Sequence, residues 1–171
     1  MSKFLKNSDL ELIDVENIVS NTLNNCDDGE LYLENSKSET ILLDDNKIKN
    51  SSYSADLGYG FRAITDEVIA YSHSNDISKD SLKKSSENLK DTLKSKKGSY
   101  NHEIPKSNNK YYKDLNPIED KSQDSKIKIL NQVNDYVRSK GEIVRQVTTS
   151  FSGEYKEIEI IRSNGEILND V

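Results

Sequence analysis

Two runs, Leu57–Thr65 (LGYGFRAIT) and Val68–Ser74 (VIAYSHS), alternate apolar and polar residues on either side of Asp66-Glu67. A period of two sends every second side chain to the same face of a pleated strand, and a short turn between two such runs closes them into an antiparallel hairpin. A chain that holds this hairpin must cover one face of it with something else, and the flanking segments supply the candidates. Glu30–Lys37 and Glu39–Asp44 read as two adjacent strands, and Asp44, Asp45 and Asn46 as a tight turn into a third at Lys47–Ser51. The expectation is a meander of four or five consecutive antiparallel strands.

Helical periods bracket the meander. Leu12, Val15, Val19 and Leu23 share one helical face behind the capping-box pair Ser8 and Glu11, which predicts a helix over Asp9–Asn24. Leu82, Leu89 and Leu93 do the same for Ser78–Lys97, and Ile127, Leu130, Val133 and Val137 for Ser122–Lys140, with Gly141 as the C-terminal cap. Between them Gly98–Lys121 holds both prolines and Tyr100, Tyr111 and Tyr112 without a sustained period; a loop of that length is expected to be functional or pinned by other parts of the protein. Ile143–Phe151 alternates, Glu157–Arg162 is rich in β-formers, and Asn164-Gly165 is a hairpin turn before Glu166–Val171. The predicted class is α+β: a mostly antiparallel sheet of about six to seven strands with two or three helices packed on it. A last strand ending at Val171 leaves an uncovered edge, so a truncated chain is expected.

Composition narrows the function classes. With 171 residues there is chain enough for one ordinary domain, or one and a small appendage, and one domain is expected. Only 33% of it is apolar, against roughly 45–50% in a typical globular chain, so the core is expected to be small or shared. A net charge of -6 argues against a phosphate-neutralising surface and hence against nucleic acid as a partner. No apolar export segment follows Met1 and no stretch approaches the roughly 20 apolar residues of a membrane span, so no membrane partner is expected and the location is expected to be cytoplasmic. Cys26 is the sole cysteine, and Asp27 and Asp28 beside it are expected to raise its pKa.

Candidate sites compete with plainer readings. Gly58-Tyr59-Gly60-Phe61-Arg62-Ala63 matches the dinucleotide fingerprint G-x-G-x-x-A, but that fingerprint needs a helix to follow, and here another alternating strand follows. Gly58 and Gly60 are better explained as thinning one face of a strand, at a bulge or where another segment packs closely. His73 and His102 lack ligand spacing, the sequence holds no H-E-x-x-H, H-E-x-x-x-H or C-x-x-C, and no G-x-S-x-G elbow exists. Lys79, Lys83, Lys84, Lys90, Lys94, Lys96 and Lys97 are interleaved with acids, as on a solvated helix face. The aspartate pairs 27–28 and 44–45 fall at turns, where aspartate has a conformational reason to be. No catalytic, cofactor-binding or metal-ligating residue is expected within this chain.

The order helix, meander, helix, long loop, helix, hairpin, together with the words Gly29–Glu34, Leu57–Ile64, Ala70-Tyr71, Asp76–Ser78, Asn116-Pro117 and Val147–Gly153, resembles the N-terminal domain of the TldD subunit of the TldD/TldE (PmbA) metallopeptidases. The string with Gly58, Gly60, Arg62 and Ala63 looks like the TldD branch and is carried over as scaffold. The resemblance spans almost the whole chain, read as a single N-terminal domain over residues 1–171. It implies a zinc-dependent peptidase whose H-E-x-x-x-H motif lies in a C-terminal half absent here, a heterodimer with a related TldE/PmbA-type subunit, and unfolded peptides as substrate. The alternative is a free-standing peptide-binding or interaction module without peptidase activity. In either case an open sheet edge near Leu57–Ser74 or Val147–Phe151 is a place where an extended peptide can add.

Overall fold

A computed structural model of the chain describes residues 4–5, 8–94, 97–99 and 115–171. Among them run α1 (Leu12–Leu23), β1 (Asp28–Asp44), β2 (Lys47–Thr65), β3 (Val68–Ser74), α2 (Lys79–Thr92), α3 (Gln123–Arg138), β4 (Thr148–Arg162) and β5 (Ile167–Asp170). The strands form one sheet in the order β3-β2-β1-β4-β5. No helix among the described residues is long and apolar enough to cross a membrane.

The class is α+β, but the sheet has five strands, not six to seven. The predicted pairs of short strands are single long ones. β1 continues for 17 residues through Ser36, Lys37 and Ser38, β2 for 19 through Ser51–Asp56, and β4 for 15 through Ser152–Lys156. Polar, serine-rich links resemble turns when read locally. Their main chains nevertheless stay in the ladder, because polar side chains that are exposed or half-buried cost an extended backbone little. Conversely, residues 143–147 precede β4 and are not strand.

The described residues group into two compact units: one drawn from the stretches 1–35, 56–112 and 157–171, the other from 36–55 and 113–156. In the first, Val15, Val19 and Leu23 of α1 and Leu82 and Leu89 of α2 pack with every second residue of the strands: Leu31 and Leu33, Tyr59, Phe61 and Ala63, Ala70, and Ile161. Phe61 is fully buried, a burial that stabilises by on the order of 2 kcal/mol. Residues of opposite parity, such as Glu30, Arg62 and Tyr71, therefore point to the face without helices. In the second unit Leu130 of α3 packs with Ile41 and Leu43, flanked by Ile127 and Phe151.

Caps and turns follow local chemistry with one departure. Ser78 and Ser122 cap α2 and α3 by accepting from the amides of Ser81 and Ser125. α1 instead starts at Leu12 behind Glu11, which gives no side-chain cap. Ser8 closes the turn ahead of it, accepting from the Leu10 amide at 3.3 Å and donating to the Leu5 carbonyl at 3.0 Å. Asp45 (φ 48°) and Asn46 (φ 61°) make the predicted tight turn in the left-handed region that Asp and Asn tolerate. Past α3, Gly141 has φ 137°, which favours glycine.

The buried face of α3 is Lys126, Leu130 and Asn134, and Val133, expected inside, is 45% exposed. Lys126 is buried because it is neutralised there: its ammonium pairs with Glu39, donates to the Ile118 carbonyl at 2.6 Å and stands 5.4 Å over the Phe151 ring. Most of the predicted loop 98–121, including Tyr100, His102, Tyr111 and Tyr112, lies outside the described residues; residues 117–119 form a turn and 120–121 a bend.

Candidate functional site

The stretch Gly58–Ala63 lies in β2, with β3 on one side and β1 on the other. Its helix-side residues are locked. Tyr59 is 5% exposed, and its phenol shares hydrogen bonds with Ser81 at 2.9 Å and Ser85 at 2.8 Å, while Ser72 of β3 donates to Ser85 at 2.9 Å. A buried hydroxyl network of this kind fixes α2 against the strands, since each oxygen would be costly to bury unpaired.

The helix-free face carries the distinctive groups. A Cβ on Gly60 would stand 2.6 Å from the phenol oxygen of Tyr71, and one on Gly58 would stand 2.8 Å from the Ser74 carbonyl. Both glycines mark close approaches from β3. The register from Tyr59↔Ser74 to Thr65↔Val68 is continuous, so no bulge interrupts it. Tyr71 in turn stacks on His73, ring centroids 5.8 Å apart and planes at 26°. Arg62 reaches toward β1, where its guanidinium lies 3.0 Å from Glu30 and 3.5 Å from Asp28. Ala63 is fully buried on the opposite face.

A clamp holds the hairpin turn. The Asp27 carboxylate accepts from the amides of Asp66 at 2.6 Å and Ser99 at 2.8 Å, and the Asp27 amide donates to the Ile64 carbonyl at 2.8 Å. Those two donated amides hold its pKa below the ordinary carboxylate value. In the sequence Asp27 stands only as a turn residue. A carboxylate that ties a distant turn is invisible without the fold, although its neighbour at φ 59°, Asp66, is a residue type suited to that region.

Other sequence candidates separate on inspection. Cys26 is buried, its thiol donating to the Thr22 carbonyl at 3.7 Å, and burial, more than the neighbouring Asp27, pushes its pKa up. Lys79, at the start of α2, pairs with Asp14 at 2.8 Å, and Lys94, just past its end, with Asp91 at 2.7 Å, as a solvated face would. Among the described residues no three His, Cys, Asp or Glu gather as a metal would require. One carboxylate pair, Asp28 and Glu30, already brackets a guanidinium, whose charge opposes a cation there. Among the described residues the donor set does not fit zinc.

Comparison with known proteins places this geometry. Residues 29–95 match the family model for PmbA/TldA metallopeptidase domain 1, and residues 116–171 that for the PmbA/TldA metallopeptidase central domain. The Metalloprotease TldD homolog of Buchnera aphidicola subsp. Acyrthosiphon pisum is 30% identical over 146 residues, covering 85% of this chain and 30% of the relative. That of Haemophilus influenzae is 29% identical over 166 residues, covering 94% and 33%. The chain thus spans about a third of the length of the curated relatives it matches. The crystal structure of TldE from Thermococcus kodakarensis shares the fold at a TM-score of 0.62 and 15% identity, over 92% of this chain and 37% of that one. With two successive family regions matched in order and the Gly58–Ala63 strand lying within the first, the chain belongs to the PmbA/TldD metallopeptidase family.

Proposed function

We propose that residues 1–171 form the N-terminal, non-catalytic domain of a TldD-type zinc metallopeptidase that degrades or processes unfolded peptides. The observation that carries this reading is the ordered match of the first and central family regions, in relatives named metalloproteases that are about three times as long. The local chemistry supports it: a buried thiol of raised pKa, a bracketed Arg62 and a hydroxyl network are holding devices, not reacting groups. On this reading the zinc is bound outside these residues by an H-E-x-x-x-H helix. A related TldE/PmbA-type subunit completes a cytoplasmic heterodimer, and the strands described above give one wall of the space that receives substrate.

The test compares two proteins on an unfolded casein substrate: the 171-residue chain, and the longest product of its reading frame mixed with the TldE-type subunit from the same genome. The expected result is chelator-sensitive, zinc-restored hydrolysis by the second and none by the first. Zinc-dependent turnover by the 171-residue chain would overturn the proposal, as would a long product that stays inert with zinc and its partner.

A further inference from the structure

β3 is an outermost strand of the sheet. Thr65 and Val68 close the two-residue turn of its hairpin as a hydrogen-bonded pair, and bonded pairs then alternate along the ladder through Ala63↔Ala70, Phe61↔Ser72 and Tyr59↔Ser74. The main-chain N–H and C=O groups of Ile69, Tyr71 and His73 consequently point away from β2. Among the described residues nothing bonds to them.

Sheets guard such rows with charge, proline, a bulge or a very short edge strand. β5, on the opposite side, is four residues long and ends on Asp170. β3 has none of these guards: it is seven residues of VIAYSHS in uninterrupted register, and its edge carries Ile69 at 64% and Tyr71 at 63% exposure. Beside the same edge, between β3 and α2, runs a groove of about 410 Å³ whose lining includes Ser72, Ser74, Asp76, Asp80 and Lys84. Two carboxylates face one ammonium there, so the groove is net acidic.

We infer that the β3 edge binds an extended segment of another polypeptide as an added strand, one that alternates apolar and basic residues. The unpaired main-chain row accepts a strand and no other conformation. Residues of the incoming strand opposite Ile69, Tyr71 and His73 share their face, and apolar side chains there cover Ile69 and Tyr71. The residues between them turn to the α2 side, where basic groups meet Asp76 and Asp80. This goes beyond the peptidase reading and does not depend on it, because the edge, the apolar pair and the acidic groove all belong to this chain.

The probe is a fluorescein-labelled ten-residue peptide alternating valine and lysine, titrated into the whole 171-residue chain. Saturable binding is expected, with slowed hydrogen exchange at the amides of Ile69, Tyr71 and His73. Methylating alternate main-chain nitrogens of the peptide leaves its charge intact and is expected to weaken binding about tenfold or more, as is replacing its lysines with glutamate. Ile69→Thr with Tyr71→Thr keeps strand-forming residues at two exposed positions, so the fold holds and affinity is expected to fall about tenfold. Absence of binding, equal binding of the methylated peptide, or binding that leaves those three amides unprotected would overturn the inference without bearing on where catalysis resides.

Discussion

Tyr71 lies across Gly60, its phenol oxygen 2.6 Å from the point where a glycine-to-alanine change would put a methyl group. That contact is with the far end of a side chain 63% exposed, free to swing into solvent. Gly29, one strand over, is enclosed differently: its Cβ would meet the Arg62 carbonyl at 2.6 Å and the Leu23 side chain at 2.5 Å. Backbone and packed core yield less than an exposed phenol. Gly60→Ala is therefore expected to cost about 1 kcal/mol and Gly29→Ala about 3 kcal/mol, read from the shift of the urea unfolding midpoint. Equal costs would show that Tyr71 is held in place by more than its stacking on His73.

The Lys126–Glu39 pair makes a sharper prediction. Their side chains are 3% and 11% exposed, so removing one charge strands the other in a poorly solvated place. Lys126→Met is expected to destabilise by about 3–5 kcal/mol, whereas the double change with Glu39→Leu should return to within about 1 kcal/mol of the parent, since two apolar groups leave no charge unpaired. A double-mutant cycle by denaturant unfolding measures both.

These two sites also show how much of the fold the residues disclose on their own. The hairpin around Asp66, the turn at Asp45-Asn46 and all three helices were readable because each depends on neighbours in sequence. Strand number was not: whether Ser36–Ser38 breaks or continues β1 is decided by what pairs alongside, and local composition favours a break. The inward face of α3 was legible only in part, Leu130 and Ile127 packing inward as their period requires, for a related reason. Its period selects Val133, while the structure buries Asn134 and also Lys126, a charge whose burial is favourable only with a partner such as Glu39. At the candidate site, Gly58, Gly60 and Arg62 stood out as a word of sequence, yet Tyr71, Asp28 and Glu30, which give that word its geometry, come from two other strands.

Cys26 tests burial chemically. With the thiol enclosed and its pKa pushed above the ordinary value by desolvation, iodoacetamide near neutral pH is expected to leave the native protein almost unmodified and to alkylate it readily in urea. Mass spectrometry of the intact chain reads the difference. Rapid native modification would mean that the region between α1 and β1 opens often.

The Asp27 clamp predicts an acid-side signature. Its folded pKa is depressed below the ordinary 3.8 by the amides of Asp66 and Ser99, so its stabilisation is complete above the unfolded value and is lost as pH falls through the folded one. Asp14, which pairs with Lys79, and Asp44, which accepts from Gln146 and Thr148, are depressed too and share that window. Acid unfolding alone therefore does not isolate the clamp, but a comparison with Asp27→Asn does. The variant is expected to melt lower than the parent at neutral pH. Between about pH 5 and pH 2 its melting temperature should fall less steeply, because one proton fewer is taken up on unfolding. Parallel slopes for the two proteins would show that the Asp66 and Ser99 amides do not discriminate the charged from the neutral carboxyl, and that Asp27 holds the turn by shape alone.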